Sequence, residues 1–266
     1  MSSISEIAKS IAKGFIYDIQ HKRKFDEQLS RIKNLKNRYS GERCFIIGNG
    51  PSIKNQNLTL LKNEKTFITN HFIHHEQLSD INPSFYCASD SHFFLPNIDL
   101  NWINNLKLLP HKADIFLSYR ASRAVKNSLF KKLKNNVYLL RYHPKKIWLE
   151  KKINFNLERP LFTGDTVIID FCFPIAVYMG FKTIYLLGVD SNYNLDNDEE
   201  IKYGFPSNNI TTKRRSNFYL KNIWQSNVMK SYKIIDESSD VEIIDLTNNG
   251  SLDVFPKESL DNILEK

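Results

Sequence analysis

The sequence is poor in cysteine, and it has no long uninterrupted apolar run and no signature of several common site types. Cys44, Cys87 and Cys172 are an odd number, widely spaced, each in an apolar stretch. Without a CxxC pair they read as buried thiols of a reducing compartment, not as a disulfide framework or a redox pair. No run approaches the roughly 20 apolar residues that cross a bilayer. The opening "MSSISEIAKS" lacks the apolar core of a signal peptide, so export is not expected. Zinc-finger spacing, an RNP motif and a basic-region heptad are all missing, which removes the usual grounds for expecting a nucleic-acid partner.

What is there is globular and basic. The 266 residues are 41% hydrophobic and 12% aromatic, enough for a large core in one α/β domain or two small ones. A net charge of +8 suits an anionic partner. Basic clusters fall at "HKRK" (21–24), "KKLK" (131–134), "PKKIWLEKK" (144–152) and "TTKRR" (211–215). They fit a solvated basic face, nucleotide phosphates, an acidic glycan or an anionic membrane.

Residues 1–40 differ from the rest. Ile4, Ile7, Ile11, Phe15 and Ile19 recur at helical spacing, predicting an amphipathic helix that packs on the body, on another subunit or on a membrane surface. A boundary is expected at Ser40-Gly41. Residues 41–266 then form the main domain. Its short apolar runs, "CFIIG" (44–48), "KTFITN" (65–70), "SFYCAS" (84–89), "ADIFLS" (113–118), "NVYLLR" (136–141), "TIYLLGVD" (183–190) and "VEIIDL" (241–246), suit strands covered on both faces. The stretches 164–180, stopped by Gly180, and 217–237 read as helices. The fold class is therefore α/β: a modified Rossmann-like, doubly wound, mostly parallel sheet with flanking helices and an N-terminal amphipathic helix.

The first strand runs into Gly48-Asn49-Gly50-Pro51-Ser52. In doubly wound sheets, ligands bind beyond the carboxyl ends of the strands. Glycines there permit close approach, Pro51 presets a turn or a first helical position, and a helix starting there would aim free N–H groups at an anion. Asn49 can donate and accept. Walker A is absent because Ser52 is followed by Ile53 and Lys54, and the dinucleotide fingerprint fails at Ile53. Spacing alone leaves a nucleotide site and a plain structural turn both open.

Together "GERCFIIGNGPSI", "LLKNEKTFITNHF", "NPSFYCASD" and "FTGDTVIIDFCFPIAVYMGFKTIYLLGVDSNYN" resemble a superfamily over roughly residues 41–250. It holds the glycosyltransferase family 42 sialyltransferases, the motility accessory factor glycosyltransferases and the 6-hydroxymethylpterin diphosphokinases. The resemblance implies a nucleotide-sugar donor, a CMP-sugar first. Gly48, Asn49, Gly50, Ser52 and Asn70 would contact it, Thr163-Gly164 would approach it, and Asp190 and Tyr193 would stand where that family holds donor phosphate. The match at Tyr193 needs a one-residue shift. Family 42 enzymes take their general base from a lid histidine, whereas no histidine follows His143 here and 218–226 reads "FYLKNIWQS". Sialic acid specificity therefore does not carry over.

Candidate bases are Asp90 and His92, at a strand end in "CASDSHF", and Asp190, since His titrates near neutrality. The plainer reading of His92 is a surface-loop histidine. His71, His74 and His75 offer an alternative base, but without the Glu of HExxH they make no catalytic zinc motif. Asp165 either caps the following helix or meets the donor. The long polar loop 191–216 is expected to act as a lid, with Lys213, Arg214 or Arg215 neutralising the leaving phosphate.

The leading expectation is a glycosyltransferase at the cytoplasmic face of the membrane, building a bacterial surface glycan such as lipopolysaccharide or capsule on a glycan or glycolipid acceptor. No obligatory cofactor and no resident metal are expected. One alternative is pyrophosphoryl transfer from ATP to a hydroxymethylpterin, with Mg²⁺ held by Asp90 and Asp190. Another is a non-catalytic nucleotide-binding or assembly protein. Peripheral membrane contact and a homo-oligomer are compatible with the sequence.

Overall fold

The computed structural model describes residues 28–89, 105–119, 136–191 and 218–265. The N-terminal helix expected over Ile4–Ile19, the loop carrying Asp90 and His92, and nearly all of the expected lid, Tyr193 included, lie outside the described residues.

Seven short runs rich in β-branched and aromatic side chains form one parallel sheet. They are β1 (Arg43–Ile47), β2 (Thr66–Thr69), β3 (Phe85–Ala88), β4 (Asp114–Ser118), β5 (Val137–Leu140), β8 (Thr183–Leu187) and β9 (Glu242–Asp245). The order is β5-β4-β3-β2-β1-β8-β9. Every one of the seven apolar runs in the sequence becomes one of these strands. Burial is nearly continuous along β1 to β5, because helices and loops cover both faces and neither can be polar. Phe45, Phe67, Phe85, Phe116 and Phe181 are fully buried, each stabilising the fold by about 1.5–3 kcal/mol relative to exposure.

Two further strands, β6 (Tyr142–Lys146) and β7 (Leu161–Thr163), pair in parallel as a separate ribbon, with Lys146 opposite Thr163. The expected helix at 164–180 begins as a π-helical turn, Ile168–Cys172, and continues as α-helix over Phe173–Tyr178. Gly180, at φ 89°, ends it. A long helix, Phe218–Ser238, follows.

The segment after residue 28 is joined to the body. Ile32 and Leu35 enter the core. The amides of Asn37, Tyr39 and Gly41 donate to the carbonyls of Tyr178, Met179 and Gly180, consuming acceptors left at a helix end. Tyr39 stacks on Phe181 at 5.0 Å, and Arg38 pairs with the buried Asp114 at 3.0 Å. Among the described residues, no helix is long and apolar enough to cross a membrane.

Candidate functional site

The chain runs from β1 outward to β5, then returns to place β8 on the other side of β1. The carboxyl ends of β1 and β8 therefore flank the point where the winding reverses, the position at which open α/β sheets bind ligands. Both strands end in glycine-containing turns, Gly48–Ser52 and Gly188–Asp190, and the two turns are hydrogen-bonded together. The Gly48 amide donates to the Leu187 carbonyl at 2.8 Å, and the Gly50 amide to the Gly188 carbonyl at 2.9 Å. A Cβ on Gly50 would strike the Asp190 carboxylate and the Gly188 oxygen. Glycine is required there by this close approach, since Gly50 itself has an ordinary φ of −67°.

Pro51 opens a five-residue 3-10 helix, Pro51–Asn55. Its first free amide does not face an incoming anion. The Ser52 N–H donates to Asp190 Oδ1 at 3.1 Å, and the Ser52 hydroxyl donates to Oδ2 at 2.8 Å. Ile53 N–H closes onto the Gly50 carbonyl. The anion that meets this helix start is the protein's own Asp190, the group expected from the sequence as a base or ligand contact. Burial pushes the Asp190 carboxyl above the usual range, and the two Ser52 hydrogen bonds pull against that rise.

Asn49 is turned toward β2. Its Nδ2 donates to the Thr69 carbonyl and to Thr69 Oγ1, both at 3.1 Å. The Thr69 carbonyl can only accept, so it fixes which end of the amide is nitrogen. That leaves Asn49 Oδ1 buried with no hydrogen-bond partner, and Asn70 Oδ1, at the end of the neighbouring strand, is in the same condition. Asn70 adopts φ 45°, and its carbonyl accepts from the Tyr86 hydroxyl at 2.9 Å. Unsatisfied buried acceptors are costly and ask for a donor. Hydroxyl and amino groups supply one, whereas ionised phosphate oxygens do not.

A third turn, Thr163-Gly164-Asp165, leads into the π-helical turn at Ile168. A Cβ on Gly48 would stand 3.4 Å from Ile168 Cδ1, so the start of the π-helical turn packs against the glycine loop. That turn carries Asp170, whose buried carboxylate accepts the Gly164 N–H at 2.6 Å. Burial and the charge of Asp165 raise the Asp170 carboxyl to about 7, opposed by the Gly164 and Asp165 amides and by Lys146. Asp165, at φ 71°, does not serve as a side-chain cap of the following helix. Its carboxylate is paired with the Lys146 ammonium. With 34% and 27% of the two side chains exposed, such a pair contributes about 0–1 kcal/mol. The long helix braces both turns: Ser231 packs at Gly164, and Gln225 Nε2 donates to the Ser191 carbonyl at 3.2 Å.

The expected residues thus divide. Gly48, Asn49, Gly50, Ser52, Asn70, Gly164, Asp165 and Asp190 sit on neighbouring carboxyl-end turns, with Thr163 at the end of β7. Asp90, His92 and Tyr193 lie outside the described residues. His75 is buried, its Nδ1 accepts from the Gln77 amide, and burial lowers its basicity. Sequence reasoning missed Lys146 and Asp170. Lys146 was one of several lysines in a basic cluster, and its pairing with Thr163 spans a ribbon that no local pattern announces. Asp170 was hidden within an apolar run; a single carboxylate there is itself the signal.

Among solved structures, the chain is similar to the sialyltransferase CstII from Campylobacter jejuni in complex with a substrate analogue, cytidine-5'-monophosphate. Identity is 17% and the TM-score 0.48, covering 83% of this chain and 86% of that one. It is also similar to the sialyltransferase CST-II in complex with a trisaccharide acceptor and CMP, at 16% identity and a TM-score of 0.46, covering 82% and 86%. No curated protein matches the chain. A family model, described as 6-hydroxymethylpterin diphosphokinase MptE-like, matches residues 20–196. That match spans well over half of the sequence and takes in the glycine loop, the Thr163-Gly164 turn and Asp190, and by it the chain belongs to the MptE-like family.

Proposed function

We propose that the protein is a glycosyltransferase that holds a nucleotide-activated sugar in the crevice between the β1 and β8 turns and passes the sugar to a glycan or glycolipid hydroxyl. The observation that carries this reading is the pair of buried, unpartnered side-chain carbonyls of Asn49 and Asn70. They call for donors, and a nucleoside provides them through ribose hydroxyls or an exocyclic amine. CMP-activated sugars are the first donors to test, on the strength of the motif resemblance. In the reaction the acceptor oxygen bonds to the anomeric carbon, the bond from that carbon to phosphate oxygen breaks, and the acceptor proton passes to a base. Asp90 and His92 remain the proposed bases. Asp190 is assigned to holding Ser52, because both of its oxygens are already engaged there. The net charge of +8 suits an acidic or membrane-held acceptor at the inner face of the cytoplasmic membrane.

A second reading follows from the family match over residues 20–196: pyrophosphoryl transfer from ATP to a hydroxymethylpterin. It calls for carboxylates that hold Mg²⁺, and of the two that the sequence offered, Asp190 is engaged with Ser52.

Titration calorimetry with CMP, UDP, GDP and ATP, with and without Mg²⁺, tests these readings. Metal-independent binding of CMP or a uridine or guanosine diphosphate supports sugar transfer, and Mg²⁺-dependent ATP binding supports the second reading. Absence of binding to all four removes both and leaves an assembly protein. Asn49→Ala is expected to weaken the preferred nucleotide by about tenfold, the loss of about one good hydrogen bond, in a protein that still folds. Unchanged affinity would take Asn49 out of the site.

A further inference from the structure

We infer that Lys146 is the group that receives the phosphate of the bound nucleotide, and that Asp165 holds its ammonium at the Thr163-Gly164-Asp165 turn until a phosphate displaces it. This rests on the crevice being a nucleotide site, as proposed above.

The first step is an accounting of donors. A glycine loop that cradles phosphate does so with free backbone N–H groups. Here the amides of Gly48 and Gly50 are spent on the carbonyls of Leu187 and Gly188, and that of Ile53 on Gly50. The Ser52 amide and hydroxyl are spent on Asp190. Of the Gly48–Ile53 amides that leaves only the Asn49 N–H unspent, too little to hold a phosphate by itself. The loop therefore suits the uncharged part of a nucleotide, and the anion calls for a side-chain cation from a neighbouring element.

Lys146 is that cation. It ends β6 opposite Thr163, and it touches Asp165, three residues before Ile168, whose side chain packs at Gly48. The turn itself is pinned. Asp170 accepts the Gly164 amide, and a Cβ on Gly164 would collide with Ile169 and press on Ser231, so Gly164 is closely packed on that side. The lysine is the partner free to move, on a flexible stem with 34% of its side chain exposed. The monophosphate left when the sugar departs carries nearly two negative charges and three terminal oxygens against the single charge of a carboxylate, and so wins the ammonium.

Two substitutions with opposite expected signs test the inference. Calorimetry on the full chain compares cytidine with CMP, and adenosine with AMP, in wild type, Lys146→Met and Asp165→Asn. Asparagine tolerates the left-handed backbone at 165, so that variant keeps the turn while releasing the lysine. Wild type is expected to prefer the monophosphate to its nucleoside by about tenfold or more. Lys146→Met should abolish that preference while leaving nucleoside affinity intact, and Asp165→Asn should enlarge it. If Lys146→Met retains the wild-type preference, or Asp165→Asn reduces it, the inference is wrong although the nucleotide site stands. If wild type binds neither nucleoside nor monophosphate, the site reading falls and this assignment with it.

Discussion

Asp190 and Ser52 are joined twice, amide to Oδ1 at 3.1 Å and hydroxyl to Oδ2 at 2.8 Å, across 138 positions of sequence. The pair clasps the ends of β1 and β8. Ser52→Ala removes one of the two bonds to the half-buried Asp190 carboxylate and is expected to lower stability by about 1–2 kcal/mol. Asp190→Ala strips both donors at once and should lower it further. Urea unfolding of both variants checks the order, and equal losses would mean that the hydroxyl bond carries the whole effect.

Gly50→Ala tests the clasp from the other side. The added methyl meets the Asp190 carboxylate and the Gly188 oxygen, forcing the turns apart. Overpacking of this kind destabilises by about 1–3 kcal/mol. Calorimetric melting should fall accordingly, and nucleotide affinity with it. Gly48→Ala should behave likewise, because its methyl would strike the Gly188 carbonyl.

Asp170 predicts a pH signature. In the folded protein its carboxyl keeps its proton to about pH 7, whereas the ordinary carboxyl value is 3.8. Between those values the folded state binds the extra proton, so raising the pH through this window removes stability, and above it the contribution is flat. Asp170→Asn can still accept the Gly164 amide but does not titrate. The stability difference, variant minus wild type, should therefore grow from pH 4 to 7 by on the order of a few kcal/mol and then level off. A constant difference across that range would show that Asp170 does not titrate there.

Gly180→Ala addresses how residues 37–41 dock. Gly180 has φ 89°, and its added Cβ would lie 3.1 Å from the Cα atoms of both Asn37 and Ser40. The backbone strain alone amounts to about 1–2 kcal/mol. Thermal unfolding should register at least that, together with faster amide exchange at Asn37, Tyr39 and Gly41.

The sheet was legible because each strand is covered on both faces and so reads as an unbroken apolar run. "CFIIG" and "TIYLLG" announced themselves; that they lie side by side did not appear locally, since only the winding of the whole chain brings Arg43 opposite Thr183. The glycine loop was legible as the turn that ends β1 at the carboxyl edge of the sheet, yet the direction of its hydrogen bonds was not. An N–H at a helix start is the same in sequence whether it faces a ligand or an internal carboxylate, and Asp190 decided that from far along the chain. Asp165 was open between a helix cap and a ligand contact, and the ion pair with Lys146 is neither. The π-helical turn at Ile168–Cys172 has the apolar composition of ordinary helix, so nothing in the residue pattern set it apart.

That β1 is completed only by β8 has a consequence for biosynthesis. A nascent chain through residue 180 holds the sequence of β1 to β5 but lacks the β8 partner of β1 and the Leu187 and Gly188 carbonyls that take the Gly48 and Gly50 amides. Closure of such a distant pairing is slow compared with local contacts. The crevice is thus among the last parts of the molecule to form, and any truncation before Thr183 yields a protein that cannot assemble it.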